Sequence, residues 1–141
     1  MAIRQLTVFV ENRQGRLVEI TRLLAESGVD MRALSIADTR EFGILRLIVT
    51  DTEKAFEALT EAGYLVKITR VVGVKLTNRP GELSRVLAEL DGAEINIEYL
   101  YAFLSGQPEG AYVALRVADN AAAEEALTAA GFELIGDPDI L

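Results

Sequence analysis

Apolar residues alternate at the start of the chain. Leu6, Val8 and Val10 fall on one face, and Thr7 and Phe9 on the other. A period of two in a β-branched run predicts a strand over Ile3 to Glu11. The period then changes. From Arg16 to Ser27, Leu17, Ile20, Leu23 and Leu24 line one face of a helix, and Gly28 stands where a C-cap belongs. Asp30 to Asp38, carrying Met31, Leu34 and Ile36, reads as a second strand. Thr39 to Gly43 reads as a hairpin connection, and Ile44 to Thr50 as a third strand. Asp51 or Thr52 caps a helix to about Ala62, with Ala55, Phe56 and Leu59 turned inward. Gly63 ends that helix, and Tyr64 to Arg70 is a last strand. The order is β-α-β-β-α-β.

The same order repeats. Asn12-Arg13-Gln14-Gly15-Arg16-Leu17 aligns with Asn78-Arg79-Pro80-Gly81-Glu82-Leu83 at an offset of 66 residues. Leu24 with Leu90, Val29 with Ile95, Asp30 with Asn96 and Met31 with Ile97 hold the same offset. Asp51 with Asp119, Gly63 with Gly131 and Tyr64 with Phe132 stand at an offset of 68. The two added residues fit the turn-rich segment 104–110, where an insertion costs little. The second repeat therefore predicts strands over Val71–Leu76, Ile95–Leu104, Ala111–Val117 and Phe132–Ile135. Helices fall over Pro80–Leu90 and Ala121–Ala130, with a short tail at Asp137-Pro138-Asp139. Pro80 suits a first helical position, where its missing N–H costs nothing.

This pattern predicts an α+β chain of two ferredoxin-like βαββαβ units, each an antiparallel sheet with its helices on one face. Residues 1–70 form the first unit and 71–141 the second. Val66 to Leu76 is nearly continuous strand pattern, so no linker separates them. Helices on one face leave sheet edges that need cover, which predicts a homodimer.

Composition narrows the function. A net charge of −8 with scattered Arg residues argues against a nucleic-acid partner. No apolar run is long enough for a membrane span, and Met1 to Gln5 does not begin a signal peptide, so a cytoplasmic protein is expected. The chain has no Cys and no His. Ser/His/Asp and Cys/His catalysis are excluded, and so are thiolate and imidazole metal sites. A carboxylate or Lys mechanism stays open, with Asp30 beside Glu11 or Lys75 as its best candidates. No catalytic residue, metal or cofactor is expected.

The loops Asn12–Gly15 and Asn78–Gly81 each join a first strand to a first helix. A glycine there allows close backbone approach, and the helix start behind it offers free N–H groups to a carboxylate. Asp30 and Asn96, at the start of the second strand, offer acceptors for an ammonium group. Together these parts suit a free α-amino acid in a pocket between two units. A plainer reading stands beside this one: Asn-x-x-Gly before a helix is common turn chemistry, and Asp30 and Asn96 follow a helix as turn residues do. Arg13 and Arg79 read as solvated.

The repeat order, the two Asn-Arg-x-Gly-x-Leu segments and the Gly-Val-Asp-Met at 28–31 with the Glu-Ile-Asn-Ile at 94–97 resemble ACT domains. The resemblance spans almost the whole chain. It implies regulatory modules that bind amino acids at interfaces between paired domains, through the loop after the first strand and the start of the second. Carried over, it implicates Asn12, Gln14, Gly15, Arg16, Leu17, Asp30 and Met31 in the first repeat. In the second it implicates Asn78, Pro80, Gly81, Glu82, Leu83, Asn96 and Ile97. It further implies an amino-acid sensor that signals through its own assembly or to a regulated enzyme. A scaffold module that keeps the fold without the ligand is the alternative. The family's loop usually opens Asp-Arg-Pro-Gly. Asn replaces that Asp in both repeats, and Gln14 replaces the Pro in the first, so the two sites need not be equivalent.

Overall fold

The computed structural model describes residues 2–38, 42–104 and 110–140. The connections expected over 39–43 and 104–110 fall, apart from residues 42, 43, 104 and 110, outside the described residues. The chain divides into two units. One comprises residues 4–69 with Ile140, the other residues 70–139 with residues 2 and 3.

The first unit runs β1 (Ile3–Glu11), α1 (Arg16–Glu26), β2 (Met31–Asp38), β3 (Phe42–Val49) and α2 (Thr52–Glu61), and then enters β4 (Leu65–Leu76). Its strands lie in the order β2-β3-β1-β4. β1 and β3 are antiparallel with Leu6 opposite Leu47 and Val8 opposite Leu45. β2 runs antiparallel on the far side of β3, with Leu34 opposite Leu47 and Ile36 opposite Leu45. The alternation of β1 thus turns Leu6, Val8 and Val10 to the face where Ile20 and Leu24 of α1 and Ala55 and Leu59 of α2 meet them. Asp51, not Thr52, caps α2; its carboxylate accepts a hydrogen bond from the Lys54 N–H at 3.1 Å.

The second unit takes residues 70–76 of β4, then α3 (Glu82–Gly92), β5 (Ile97–Leu104), β6 (Ala111–Val117), α4 (Asn120–Ala129), β7 (Glu133–Ile135) and α5 (Asp137–Ile140), whose last residue belongs to the first unit. Its strand order is β5-β6-β4, with β7 on the other side of β4. Val72, Val74 and Leu76 face Val86 and Leu90 of α3 and Leu127 of α4. Asp119 caps α4 as Asp51 caps α2. Both units break register at one equivalent place, between Met31 and Ala33 on β2 and between Ile97 and Tyr99 on β5. Each is therefore α+β, with an antiparallel sheet and helices packed on one face.

Three details differ from expectation. Pro80 is not helical: α3 begins at Glu82, and Gly81 before it is left-handed at φ 91°. The strands expected over 64–70 and 71–76 are one continuous β4. The tail at 137–139 is a helical turn, closed by an Asp139 carboxylate that accepts from the Gly136 N–H at 2.8 Å. The first and the last have a local reason. A left-handed glycine ends the loop before a helix can include the proline, and an acidic side chain can hold a turn that composition reads as coil.

Two positions test this packing. A Cβ on Gly73 would lie 2.3 Å from Ile3 Cδ1 and 2.5 Å from Ile135 Cγ1. Gly73→Val should cost about 2 kcal/mol, the usual range for overpacking, in urea denaturation. Glu94 holds φ 59° where the first repeat has Gly28 at φ 72°. Glu94→Gly should stabilise the protein by about 0.5–1 kcal/mol, since a left-handed L-residue costs about 1–2 kcal/mol and glycine returns part of that as chain entropy.

Candidate functional site

Each first strand must fold back so that its helix covers the same apolar face. The chain does this in four residues. The Arg13 N–H donates to Glu11 O at 2.8 Å, the Arg16 N–H donates to Arg13 O at 3.3 Å, and Gly15 stands at φ 90°. The second loop repeats these bonds from Arg79 to Thr77 and from Glu82 to Arg79. A Cβ on Gly15 or Gly81 would meet nothing within 4 Å, so the backbone angle alone requires glycine and the space above it is open. No side chain caps α1 or α3. The N–H groups of Leu17 and Val18, and of Leu83 and Ser84, thus lie at open helix ends with the positive end of the helix dipole. Asn12, Gln14, Asn78 and Pro80 are exposed on these loops, Leu17 and Leu83 beside them, and Arg16 is half-buried.

Asp30 and Met31 lie elsewhere. They follow the C-terminal end of α1, whose eleven residues span about 16 Å at 1.5 Å each, so they stand a helix length from Asn12–Leu17 of the same unit. Asn96 and Ile97 stand in the same relation to Asn78–Leu83 across α3. Each unit therefore keeps its predicted residues in two groups at opposite ends of one helix and does not bring them together.

The two repeats differ in charge at these places. At the first loop Arg16 lies 3.7 Å from the Glu11 carboxylate and 3.4 Å from that of Glu19. At the second the polarity is reversed. Glu82 is buried, and one carboxylate oxygen takes both Arg79 and Arg85 at 3.1 Å. Arg13 and Arg79 are exposed and paired with Glu11 and Glu82. At the far end, the Asp30 carboxylate pairs with Arg32 at 3.1 Å, and Arg32 Nε donates to the Ile140 carbonyl at 3.1 Å. Asn96 lines an open groove of about 490 Å³ with Asp91, Glu94 and Ile97. The residues proposed for acid–base chemistry are not assembled: Asp30 and Glu11 sit at opposite ends of α1, and Lys75 pairs with Glu133 at 3.7 Å.

Residues outside the expected set complete these surroundings. Arg32, in the β2 bulge, and Glu19, one turn into α1, carry no sequence signal beyond charge. Tyr64 aligned in the repeat without a role. Its hydroxyl is enclosed beside Arg16 and Glu19 with no well-formed hydrogen bond, and burial, aided by the Glu19 carboxylate, raises its pKa above the ordinary phenol value. Beside the first loop lies a small cavity of about 70 Å³, lined by Asn12, Arg13, Arg16, Leu17, Ile36 and Gly43. Ile36, on the last part of β2, shares that cavity with the loop, a neighbourhood that sequence spacing does not reveal. Among the described residues no acidic group is gathered for a metal ion, and no helix is long and apolar enough to cross a membrane.

Comparison with known proteins agrees with this architecture. The chain resembles the crystal structure of protein BT0572 from Bacteroides thetaiotaomicron, with a TM-score of 0.93 and 38% identity over 99% of this chain and 96% of that one. It shares its fold with the ligand-free regulatory subunit of aspartate kinase from Thermus thermophilus, with a TM-score of 0.68 and 17% identity over 90% of this chain and 89% of that one. The corresponding subunit from Thermus flavus gives a TM-score of 0.62 at 16% identity, over 90% of this chain and 91% of that one. No curated protein matches the sequence. A family model described as an ACT domain pair matches residues 1–141, the whole of the duplicated βαββαβ pattern, and the chain belongs to that family of regulatory domains.

Proposed function

We propose that this protein senses a free amino acid at a junction that a second subunit completes, and that it is not an enzyme. The observation that carries this is the separation of the half-sites. The loop end of α1 offers helix N–H groups and Arg16, which suit a carboxylate. The opposite ends offer Asp30 in one unit and Asp91, Glu94 and Asn96 in the other, which suit an ammonium group. Neither end alone recognises both.

The edge strand supplies a way to join them. β2 is last in its sheet, and Leu34 and Ile36 on it are about half exposed, as are Leu17 and Val18 on α1. An unpaired edge beside an apolar stripe favours pairing with a second subunit. Antiparallel pairing about the middle of β2 sets Met31 of the partner subunit beside residue 38. Asp30 of the partner subunit would then approach the loop that shares a cavity with Ile36. Ligand binding would tighten or reorient this junction, and a regulated enzyme is the natural receiver, as the regulatory subunits that share the fold suggest by name. The Asp30–Arg32 pair favours a second reading, a scaffold module without ligand, because it occupies the carboxylate meant for the amine.

Calorimetry against the common amino acids should find one that binds, and silence with all of them leaves the scaffold reading. Arg16→Glu, which places at the first loop the residue of the second, should weaken that binding by at least about tenfold. Asp30→Ala should do the same. Mixed in equal amounts, the two variants should regain binding at one junction of each mixed dimer, since one subunit keeps its loop and the other its acid. No recovery on mixing would place both halves in one chain and overturn the shared junction. Sedimentation should show a dimer.

A further inference from the structure

Tyr64 encloses a hydroxyl that has no well-formed hydrogen bond. An enclosed polar group without a partner costs free energy, and phenylalanine would avoid that cost. The second unit makes that choice: Phe132 stands at the equivalent place in the repeat. The same backbone forms with it, so the fold does not need the hydroxyl. The charges beside the two rings also differ. Tyr64 lies beside Arg16 and Glu19, whereas the Arg85 guanidinium lies 4.9 Å above the Phe132 ring and pairs with Glu82. The hydroxyl thus goes with the Arg16–Glu19 pair and not with the sheet.

That pair is loose. Arg16 stands 3.4 Å from Glu19 and 3.7 Å from Glu11, long for charge-assisted bonds, whose usual N···O distance is about 2.7–2.9 Å. In the second unit one Glu82 oxygen takes Arg79 and Arg85 at 3.1 Å each. Arg16 also has room on two sides. It lines a cavity of about 390 Å³ with Tyr64 and Glu11, and the cavity of about 70 Å³ with Asn12 and Leu17 of the loop. Burial, and next the Glu19 carboxylate, hold the Tyr64 pKa above the ordinary phenol value, so the group keeps its proton to donate.

We infer that Tyr64 is a positioning residue, which replaces Arg16 as the partner of Glu19 when Arg16 turns to a carboxylate at the loop. The inference rests on the reading of Arg16 as a receptor for a carboxylate. In the free protein Glu19 holds Arg16, and the hydroxyl lacks a good partner. A carboxylate that draws Arg16 to the loop side leaves Glu19 half-buried without its cation. The hydroxyl then donates to Glu19. One bond is exchanged for another, and the enclosed group gains its partner, so binding is tighter than the loop alone provides. Phe132 has no proton to give, and in its unit Glu82 already holds both arginines.

The test uses the intact chain with its tyrosines labelled at Cζ for carbon NMR, because that carbon moves downfield when a phenol donates to a carboxylate. Tyr64→Phe identifies the Tyr64 signal among those of the four tyrosines. With nothing added, Arg16→Met should move this signal downfield, and Glu19→Gln combined with it should return it. Acetate, compared with sodium chloride at equal ionic strength, should move the parent's signal the same way and saturate, together with the Leu17 and Val18 amides. Tyr64→Phe should bind acetate about fivefold more weakly by those amides yet melt no lower than the parent, a split that a merely structural hydroxyl would not give. The exchange is refuted if Arg16→Met or acetate leaves the signal in place, if the shift persists without Glu19, or if Tyr64→Phe binds acetate as the parent does. Acetate has no amine and needs no second subunit, so these results stand whether or not calorimetry finds an amino acid that binds.

Discussion

Both units rest on the burial of one face of a single strand. Leu6, Val8 and Val10 in β1, and Val72, Val74 and Leu76 in β4, must lie under the two helices of their unit, and all are nearly inaccessible to water. The helix that covers the strand follows it in sequence, so the chain must reverse within a few residues. That reversal takes a left-handed residue, and Gly15 and Gly81 supply it. The loop's shape is thus a consequence of the core. It leaves an open helix start at the end of the first strand in both repeats, whatever those starts bind.

On this shared backbone the charges have diverged. Arg16 with Glu19 in one repeat becomes Glu82 with Arg85 in the other. Glu82 is buried and Arg16 half-buried, yet each meets its opposite charge one turn along its helix, so the signs are exchanged within one fold while the loop presents a different surface. Phe9 against Lys75 and Leu65 against Glu133 show the same freedom on the strands. The buried apolar positions match in character between the repeats, and these charge differences fall on residues that the core does not need.

The open ends of the structure carry the functional reading. A strand at the end of a sheet and an apolar stripe beside it are unfinished surfaces, and the two half-sites at opposite ends of α1 are unfinished recognition. On the function proposed above, a second subunit on β2 would complete both. Regulation would then need no moving lid. An amino acid that spans the junction would bind the assembled form and not the separated one, and so would shift assembly by mass action.

Much of this was legible in the chain. The change of period from two to 3.6 and back located the strands and helices, because burial on one face imposes those periods directly. The repeat of Asn-Arg-x-Gly identified the two loops and the family. The repeat sets Glu94 where the first copy has Gly28, and the structure shows both in the left-handed region. Which residues meet in space was not legible. The residues alone leave open whether Asp30 reaches Asn12, and only the fold shows that α1 holds them a helix length apart. The cavity that Ile36 shares with the first loop, the enclosure of the Tyr64 hydroxyl beside Arg16 and Glu19, and the pairing of Asp30 with Arg32 likewise depend on strand order and side-chain direction. Periodicity records which face of an element is buried, a property of each element alone. The meeting of two elements depends on how the whole chain packs, and a single sequence carries no local signal for it.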